Sequence, residues 1–197
     1  LIYIFQGPVA EEYKYEKGKV GIGYYIRKII EKFVLLRASK VIVISDYMKQ
    51  RLPPHIQKKT INDGPIHKFK INLLKTPVRG KKIIELITVR RLTERTGIRQ
   101  LVNLVRRSDR LRLKVIGKGE LSKEFDNYKY QNISFLGGIS DAQLLSEYKS
   151  SDLFILPSID LEGFGLVVLE ALASGIPVMA TKTSGGAADF LSKIDQG

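Results

Sequence analysis

Several residue types that build functional sites are missing from this 197-residue sequence, or nearly so. It has no Cys and no Trp, and its only histidines are His55 and His67. The absence of Cys excludes a disulfide framework, a thiolate zinc site and a cysteine nucleophile. Two histidines are too few for a histidine-rich metal site, and both stand among polar residues, so we expect them to be solvated.

Long hydrophobic runs are missing as well. No apolar stretch approaches the ~20 residues of a membrane-spanning helix, and we expect no charged-then-apolar secretory leader before the first predicted strand. Apolar residues make up 44% of the sequence and charged residues 27%, which is ordinary for a globular protein with a sizeable core. The sequence opens inside a predicted buried strand and stops at Gly197, just after a helix has begun, so we expect a fragment of a longer protein.

Acidic residues are scarce in the first part of the sequence. Residues 1–80 have 16 Lys and Arg against 6 Asp and Glu, a net charge of +10, whereas residues 81–197 have 17 against 14, a net charge of +3. The basic part indicates nucleic acid, an anionic membrane or an acidic substrate as a partner, but a solvated lysine-rich surface explains it equally well. Because no RNA-binding signature with interleaved aromatic residues is present, we expect no nucleic-acid partner.

Short apolar runs alternate with amphipathic stretches from Ile83 onward. The pattern predicts strands over 83–89, 113–116, 133–136, 153–156 and 177–180, separated by helices over 98–105, 121–127, 141–149 and 165–173, with a last helix near Ala187. Continuous apolar strands that alternate with helices are typical of a parallel, doubly wound sheet covered on both faces.

The first part of the sequence has the same alternation, less completely. A strand over residues 1–5 is followed by a polar loop, a helix over 21–37, a strand over 41–44 and a helix that Ser45 or Asp46 caps. The apolar face of the long helix comprises Ile22, Ile26, Ile29, Ile30, Phe33 and Val34. With a candidate linker over residues 72–79, the sequence predicts part of one α/β domain followed by most of a second.

The segment from Glu162 to Ala171 carries the clearest chemical pattern. A strand ends at Pro157, a loop with Gly163 and Gly165 follows, and a helix then begins, with Glu170 on its second turn. Ligands of open α/β sheets bind at this edge, where a helix N-terminus favours a diphosphate and carboxylates accept hydrogen bonds from sugar hydroxyls. The alternative is a simple turn with two solvated glutamates.

The two glutamates have the Glu-x7-Glu form, and residues 157–181 resemble the C-terminal domain of family 4 glycosyltransferases with the GT-B fold. The likeness continues in Val89-Arg90-Arg91-Leu92, Ile116-Gly117-Lys118-Gly119, Phe135-Leu136-Gly137, Ser151-Asp152-Leu153, Phe5-Gln6-Gly7-Pro8 and residues 38–45. It implies an α/β, GT-B-like fold of two Rossmann-like domains with parallel sheets. Residues 1–78 would be the later half of the acceptor-side domain, and residues 79–197 the nucleotide-sugar domain, truncated at its end.

The resemblance implies a retaining hexosyltransferase of the cytoplasm, with the inner face of the cell membrane as a candidate place of action. It would take a UDP- or GDP-sugar as donor and a polysaccharide or lipid-linked acceptor, without a metal or other cofactor. Peripheral contact with an anionic membrane would use the basic first part. The alternative is a non-catalytic module that binds a nucleotide-sugar or docks on a membrane.

Site residues follow from the resemblance by position. Glu162 would lie beside the transferred sugar, which the backbone of Gly163, Phe164 and Gly165 would bind, and Glu170 would hydrogen-bond the ribose. The groups that would meet the phosphates are the Leu166 and Val167 amides and the side chains of Arg91 and Arg95, Arg91 neutralising the leaving diphosphate. Gln6 and Gly7 are candidate contacts of the sugar or the acceptor.

Three departures from the family pattern favour the non-catalytic alternative. Thr96 stands where the family commonly has Lys, and Gln6 stands where it has His. The first strands of the N-terminal domain are also missing from the sequence. Gly117-Lys118-Gly119 is similar to a dinucleotide-binding turn, but because its third glycine and the distant acidic residue are absent, we expect no nicotinamide cofactor.

Overall fold

The computed structural model describes residues 1–62, 80–126 and 130–194, which form two compact units. Residues 1–62, 160–165 and 182–194 belong to the first unit, and residues 80–126, 130–159 and 166–181 to the second. The predicted domain boundary after residue 78, the predicted linker, His67 and Asn127 lie outside the described residues. The division of the chain at residue 78 therefore stays a prediction.

All strands of the described residues belong to parallel sheets. They are β1 (Ile2–Phe5), β2 (Lys40–Val43), β3 (Thr60–Asn62), β4 (Ile84–Val89), β5 (Leu111–Ile116), β6 (Ile133–Gly137), β7 (Leu153–Leu156) and β8 (Val178–Ala180). The helices are α1 (Val9–Lys17), α2 (Ile22–Arg37), α3 (Asp46–Gln50), α4 (Pro54–Gln57), α5 (Ile98–Val105), α6 (Ser122–Asp126), α7 (Asp141–Ser150), α8 (Leu166–Ala173) and α9 (Gly185–Ile194), with a short 3-10 helix at Glu94–Thr96. The predicted α/β class with parallel sheets is confirmed.

The first unit is built on a three-stranded sheet in the order β1-β2-β3. Its core combines residues of β1 and β2 with side chains from α2, α3, α4 and the segments that follow α2 and α3, namely Phe5, Leu35, Ala38, Val41, Val43, Met48, Leu52 and Ile56. Full burial of such a side chain stabilises the fold by ~1.5–3 kcal/mol. Ser45 caps α3, as the sequence predicts, by accepting a hydrogen bond from the Met48 amide at 3.2 Å.

The prediction of a polar loop after the first strand is wrong, because α1 occupies most of this segment. The helix follows Pro8, has Glu11 and Glu12 in its first turn and ends at Gly18, whose φ is 66°. The sequence signals of this helix are the residues at its ends, which are the proline before it, the acidic first turn and the glycine after it. It has no clear apolar periodicity. Tertiary contact supports it too, since the Tyr24 hydroxyl on α2 donates to Glu11 at 2.7 Å.

The expected burial of β1 is also wrong in part, and the predicted apolar face of the long helix is largely exposed. Ile2 and Ile4 of β1 are exposed, as are Ile22, Ile26, Ile29, Ile30 and Phe33 of α2, whereas Val34 is half-buried. The reason is that α2 turns its opposite side, with Tyr24 and Leu35, toward the rest of the unit. An apolar stripe therefore covers the outer face of α2.

The second unit has a five-stranded sheet in the order β6-β5-β4-β7-β8. One cluster of buried side chains lies between the sheet and α5 and α6, and comprises Leu86, Leu92, Ile98, Leu101, Val102, Val105, Leu113, Val115, Leu121, Phe125 and Ile133. The chain runs outward from β4 through β5 to β6 and then returns to β7 on the other side of β4. The strand order therefore reverses between β4 and β7.

Gly97 makes the connection from β4 to α5 possible. Its φ is 70°, and a Cβ built there would lie 1.7 Å from the carbonyl oxygen of Pro157, just after β7. Only glycine therefore allows the start of α5 to pack against the loop after β7. This close approach brings the start of α5 against the loop after β7, beside the carboxyl ends of the neighbouring strands β4 and β7.

Candidate active site

The carboxyl ends of β4 and β7 form the crevice where a doubly wound sheet binds its ligand. Arg90 and Arg91 follow β4, and Ser158 lies two residues after β7. The Arg90 guanidinium donates to the Ser158 hydroxyl at 2.8 Å, and the Ile159 amide donates to the Arg95 carbonyl at 2.9 Å. These bonds join the loops on both sides of the crevice within the second unit.

The predicted cation Arg91 is exposed beside this crevice, whereas Arg95 is half-buried in the 3-10 helix. Thr96, which stands where the family commonly has Lys, is 3% exposed. It forms a capping box with Thr93, and its hydroxyl donates to the Thr93 carbonyl at 2.5 Å. Position 96 therefore stabilises the turn and offers no charge to a ligand.

Helix α8 begins at Leu166, so the two amides predicted to meet phosphates belong to its first turn. Leu166 is exposed and Val167 is half-buried, whereas Val168 and Leu169 are buried. The first four N–H groups of a helix have no partner within it, and the helix dipole favours an anion there. The first turn of α8 can therefore donate hydrogen bonds to a phosphate group.

Glu170 lies on the second turn of α8 and is half-buried. The Tyr148 hydroxyl on α7 donates a hydrogen bond to its Oε2 atom at 3.2 Å. Burial, together with the charge of Glu170, raises the pKa of Tyr148 well above its usual range. Tyr148 therefore remains a hydrogen-bond donor at all physiological pH values and fixes the orientation of the Glu170 carboxylate.

The loop that carries Glu162 and Gly163 belongs to the first unit. The Ser45 hydroxyl, at the start of α3, donates to the Gly163 carbonyl at 2.7 Å. Gly185 and Gly186 of α9 pack so closely that Cβ atoms there would lie 2.3 Å from the carbonyl oxygens of Glu162 and Gly163. The backbone of both loop residues is thus in close contact with α9, and Ser45 holds the second.

Gly163 is brought close to another predicted site residue, Gln6. Gln6 follows β1 and is exposed, and a Cβ on Gly163 would lie 3.3 Å from the Gln6 carbonyl oxygen. Gly7 is buried, and a Cβ there would lie 3.2 Å from Glu12 Oε1 on α1. Gln6, Gly7 and Gly163 therefore converge at the carboxyl edge of the three-stranded sheet.

The side chain of Phe164 makes a packing contact within the first unit, whereas the predicted ligand contact concerns its backbone. Its ring is 3% exposed and packs against Phe190 of α9, with ring centroids 5.5 Å apart. Buried aromatic pairs of this kind stabilise a fold by ~0.5–1.5 kcal/mol beyond the area they bury. The side chain thus anchors the loop to α9, which leaves its backbone as the group available for a ligand.

Asp160, just before this loop, was missed by sequence reasoning. Its carboxylate accepts hydrogen bonds from Tyr47 at 2.8 Å and Tyr15 at 3.2 Å, and it forms an ion pair with Arg51. Although partial burial opposes the effect, hydrogen bonds from Tyr47, the Leu161 amide and Arg51 lower the pKa of Asp160 below its usual value. No sequence pattern joins these residues, which lie more than 100 positions apart.

Tyr148, the Gly185-Gly186 pair and the hydrogen bond from Ser45 to Gly163 were missed as well, because each contact joins residues that are distant in the sequence. Only the pair of adjacent glycines is itself a signal for close backbone packing. The exposed position of His55 confirms its expected solvation. Within residues 1–62, 80–126 and 130–194, no group of three or more His, Asp or Glu side chains is arranged to hold a metal ion, and no helix is long and apolar enough to cross a membrane.

The sequence family described as Glycosyl transferases group 1 matches residues 72–197, more than half of the chain. The chain is 32% identical over 108 residues to the uncharacterized glycosyltransferase MJ1607 of Methanocaldococcus jannaschii, a match that covers 51% of this chain and 27% of that protein. It is 25% identical over 189 residues to the capsular polysaccharide biosynthesis glycosyltransferase CapM of Staphylococcus aureus, covering 84% of this chain and 49% of that protein. The chain therefore spans about half the length of CapM and less of MJ1607.

Among solved structures, the fold is similar to that of Anabaena HepE in complex with UDP-glucose. The TM-score is 0.69 at 20% sequence identity, and the match covers 96% of this chain and 55% of that chain. Similarity at this level of identity concerns the fold. It supports the predicted GT-B-like fold with parallel α/β sheets.

Proposed function

Because the chain belongs to the family Glycosyl transferases group 1, we propose that it transfers a hexose from a nucleoside-diphosphate sugar to a polysaccharide or lipid-linked acceptor, with retention of the anomeric configuration. The observation that carries this proposal is the crevice between β4 and β7, which Arg91 flanks. HepE was solved with UDP-glucose, and CapM acts in capsular polysaccharide biosynthesis, which supports a UDP-sugar donor and a glycan acceptor. A GDP-sugar is the alternative donor.

We propose that the second unit binds the nucleotide and stabilises the leaving group. Negative charge grows on the diphosphate as the glycosidic bond breaks, so a cation that meets it there accelerates transfer. Arg91 is exposed and supplies this charge, with Arg95 as the second cation. The first-turn amides of α8, at Leu166 and Val167, complete the phosphate site.

Glu170 is proposed to bind the ribose. Tyr148 occupies its Oε2 atom, so a ribose hydroxyl would donate to the other carboxylate oxygen. A hydrogen bond to a charged acceptor is worth ~1.5–3 kcal/mol, so Glu170→Gln is expected to weaken UDP binding at least about tenfold. Glu147→Gln is the matched control, since Glu147 is also a half-buried helical carboxylate with a bound partner, Lys114 on β5, and we expect it to leave binding unchanged.

In the first unit, we propose that Glu162 lies beside the transferred hexose and that the backbone of Gly163, Phe164 and Gly165 binds it. Gln6 and Gly7 are proposed to contact the sugar or the acceptor. Same-face transfer through an oxocarbenium-like transition state accounts for retention, with Glu162 stabilising positive charge on the ring and not forming a covalent intermediate. We propose that no metal ion takes part.

Release of nucleoside diphosphate tests the proposal. A protein that contains these residues is incubated with UDP-glucose, UDP-galactose or GDP-mannose, and UDP or GDP release is measured with and without acceptor glycans. We expect one donor to be consumed, and the Glu162→Gln variant to lose turnover while it still binds UDP or GDP. Absence of both binding and turnover with every donor would contradict the proposal.

A second candidate function is donor binding without turnover. The observation that favours it is the buried, capped Thr96, which cannot supply the cation common at this position. Donor binding with no release of nucleoside diphosphate, in the presence of acceptor, would establish it. Turnover would remove it, and loss of that turnover in Arg95→Ala would identify Arg95 as the substitute cation.

We also propose that α2 brings the protein into peripheral contact with an anionic membrane at the cytoplasmic face. Ile29 is 68% exposed and Phe33 is 59% exposed on this helix, which also carries Arg27, Lys28 and Lys32. An apolar stripe beside cations suits insertion into the headgroup region of anionic lipids. The net charge of +10 over residues 1–80 adds long-range attraction.

Vesicle sedimentation tests this contact. Binding is expected to rise with the phosphatidylglycerol content of phosphatidylcholine vesicles and to fall with added salt. The double variant Ile29→Ser, Phe33→Ser removes exposed side chains only, so it lowers binding without unfolding the protein. Equal binding to neutral and anionic vesicles would contradict the proposal.

A further inference from the structure

Both ends of the short loop that carries Glu162 are held by one segment of the first unit. This anchoring segment, residues 45–51, comprises the N-cap of α3, the helix itself and Arg51. Ser45 donates to the Gly163 carbonyl on one side of Glu162, and Tyr47 and Arg51 bind Asp160 on the other side. Glu162 thus lies between two loop residues, Asp160 and Gly163, that are both held by the anchoring segment.

The fixed points determine the path of the backbone between them. Asp160 Oδ1 accepts a hydrogen bond from the Leu161 amide at 2.8 Å, and Leu161 has a φ of 57°, in the left-handed region that a branched side chain rarely adopts. The Leu161 side chain is 2% exposed, so this conformation is retained by packing as well. A strained backbone persists only where its surroundings over-determine it.

The Asp160 carboxylate has more bonds than holding a turn requires. Besides the Leu161 amide it binds Tyr15 from α1 and both Tyr47 and Arg51 from the anchoring segment. These partners come from two helices, so the carboxylate ties the start of the loop to both. Such an arrangement favours accurate placement of the residue two positions later.

We propose that Asp160 is a positioning residue for Glu162: its bonds to Tyr15, Tyr47, Arg51 and the Leu161 amide hold the loop so that the Glu162 side chain and the Gly163 backbone meet the hexose of the donor. The inference rests on the role proposed above for Glu162. It predicts that loss of Asp160 affects recognition of the hexose and not of the nucleoside diphosphate.

Two measurements on the whole chain test the inference. Hydrogen exchange, followed without any ligand, reports whether the loop is held; we expect residues 160–165 to exchange about tenfold faster in Asp160→Ala, since a charged acceptor is lost. The Asp160→Asn variant keeps an acceptor for the Leu161 amide, so its exchange rate over residues 160–165 should lie between those of the unaltered chain and of Asp160→Ala. Asp152→Asn is the matched control, because Asp152 also binds a backbone amide and a lysine, at Glu85 and Lys81, but in the second unit.

Titration with UDP-glucose and UDP, and with GDP-mannose and GDP, reports the consequence for the donor. We expect Asp160→Ala to weaken binding of the nucleotide-sugar about tenfold and binding of the matching nucleoside diphosphate less than twofold. Unchanged exchange, or equal weakening of both ligands, would overturn the inference. If the unaltered chain binds neither nucleotide, the proposed function fails, while the exchange result still decides whether Asp160 holds the loop.

Discussion

The two units hold their candidate functional groups by different means. In the first unit, side chains fix the Glu162 loop: Ser45 on one side, and Asp160 with its tyrosine and arginine partners on the other. In the second unit, the tightest contact beside the crevice is one of backbone, between Gly97 at the start of α5 and the Pro157 carbonyl, and the Arg90–Ser158 hydrogen bond supplements it.

This difference determines how each region responds to change. Backbone packing at a glycine tolerates no larger residue, so single substitutions there act on the whole unit. A site held by side chains loses one hydrogen bond at a time, and the loss depends on pH wherever a carboxylate is involved. Substitution of Gly97 should therefore act mainly on stability, whereas loss of the Asp160 hydrogen bonds should act mainly on the geometry of the Glu162 loop.

Gly97→Ala is expected to have the largest effect. A Cβ 1.7 Å from the Pro157 carbonyl oxygen forces the two loops apart, at a cost of about 3 kcal/mol or more in unfolding free energy. Gly80→Ala is the matched control, since Gly80 also has a positive φ, 88°, but nothing lies within 4 Å of its Cβ position. That variant should lose only about 1 kcal/mol. Urea denaturation of both variants measures the contrast, and equal losses would show that the crevice is not held by backbone packing.

Ser45→Ala is expected to lower the free energy of unfolding by an intermediate amount. It removes the N-cap of α3 and the hydrogen bond to the Gly163 carbonyl, which together are worth about 2 kcal/mol. Ser140→Ala removes only the capping box of α7 in the second unit, worth about 1 kcal/mol. Denaturant unfolding compares the two, and faster hydrogen exchange over residues 160–165 is expected for the Ser45 variant alone.

Titration of the Asp160 carboxyl in the first unit is expected to have a smaller effect on stability than the substitutions above. The pKa of Asp160 is lowered in the folded protein, so its contribution to stability is complete above the unfolded value of ~3.9 and is lost as the pH falls through the lower folded value. Between pH 7 and 5 the Leu161 amide resonance should therefore stay constant, and it should shift only below about pH 4. Asp160→Asn removes this step; a shift that persists in that variant would assign it to another carboxylate.

Removal of divalent cations is expected to have no effect in either unit. Transfer without a metal ion predicts that EDTA leaves both donor binding and release of nucleoside diphosphate unchanged, since Arg91 and the first turn of α8 would meet the phosphates. Isothermal titration with and without EDTA measures this. A loss of affinity that Mg²⁺ restores would contradict metal-independent transfer.

The same contrast explains what the sequence could predict. Strand-to-helix alternation gives β4 to β8 to within about two residues, and the residues after these strands give the crevice, because in a parallel sheet the chain order determines which ends meet. Ser45 as a helix cap is likewise a local signal. Each of these predictions needs only neighbouring residues.

What the sequence could not predict depends on contacts between distant residues. Tyr47 and Asp160 are separated by 113 positions, and Tyr148 reaches Glu170 across 22 positions on another helix. Helix α1 was missed because its sequence is polar and its packing partner is α2. The exposure of the apolar face of α2 could not be predicted, because periodicity shows which residues share a face, not what covers it.

The first unit is assembled from residues on both sides of the second in the chain, which has a consequence for biosynthesis. Ribosomes add about 5–20 residues per second, so residues 1–62 emerge roughly ten seconds before the loop at 160–165 and helix α9 that complete their unit. Until then Ser45, Tyr47 and Arg51 lack the loop that they hold, while the second unit already has most of its strands. The Glu162 loop can therefore reach its held conformation only after the whole stretch that forms most of the second unit has been synthesised.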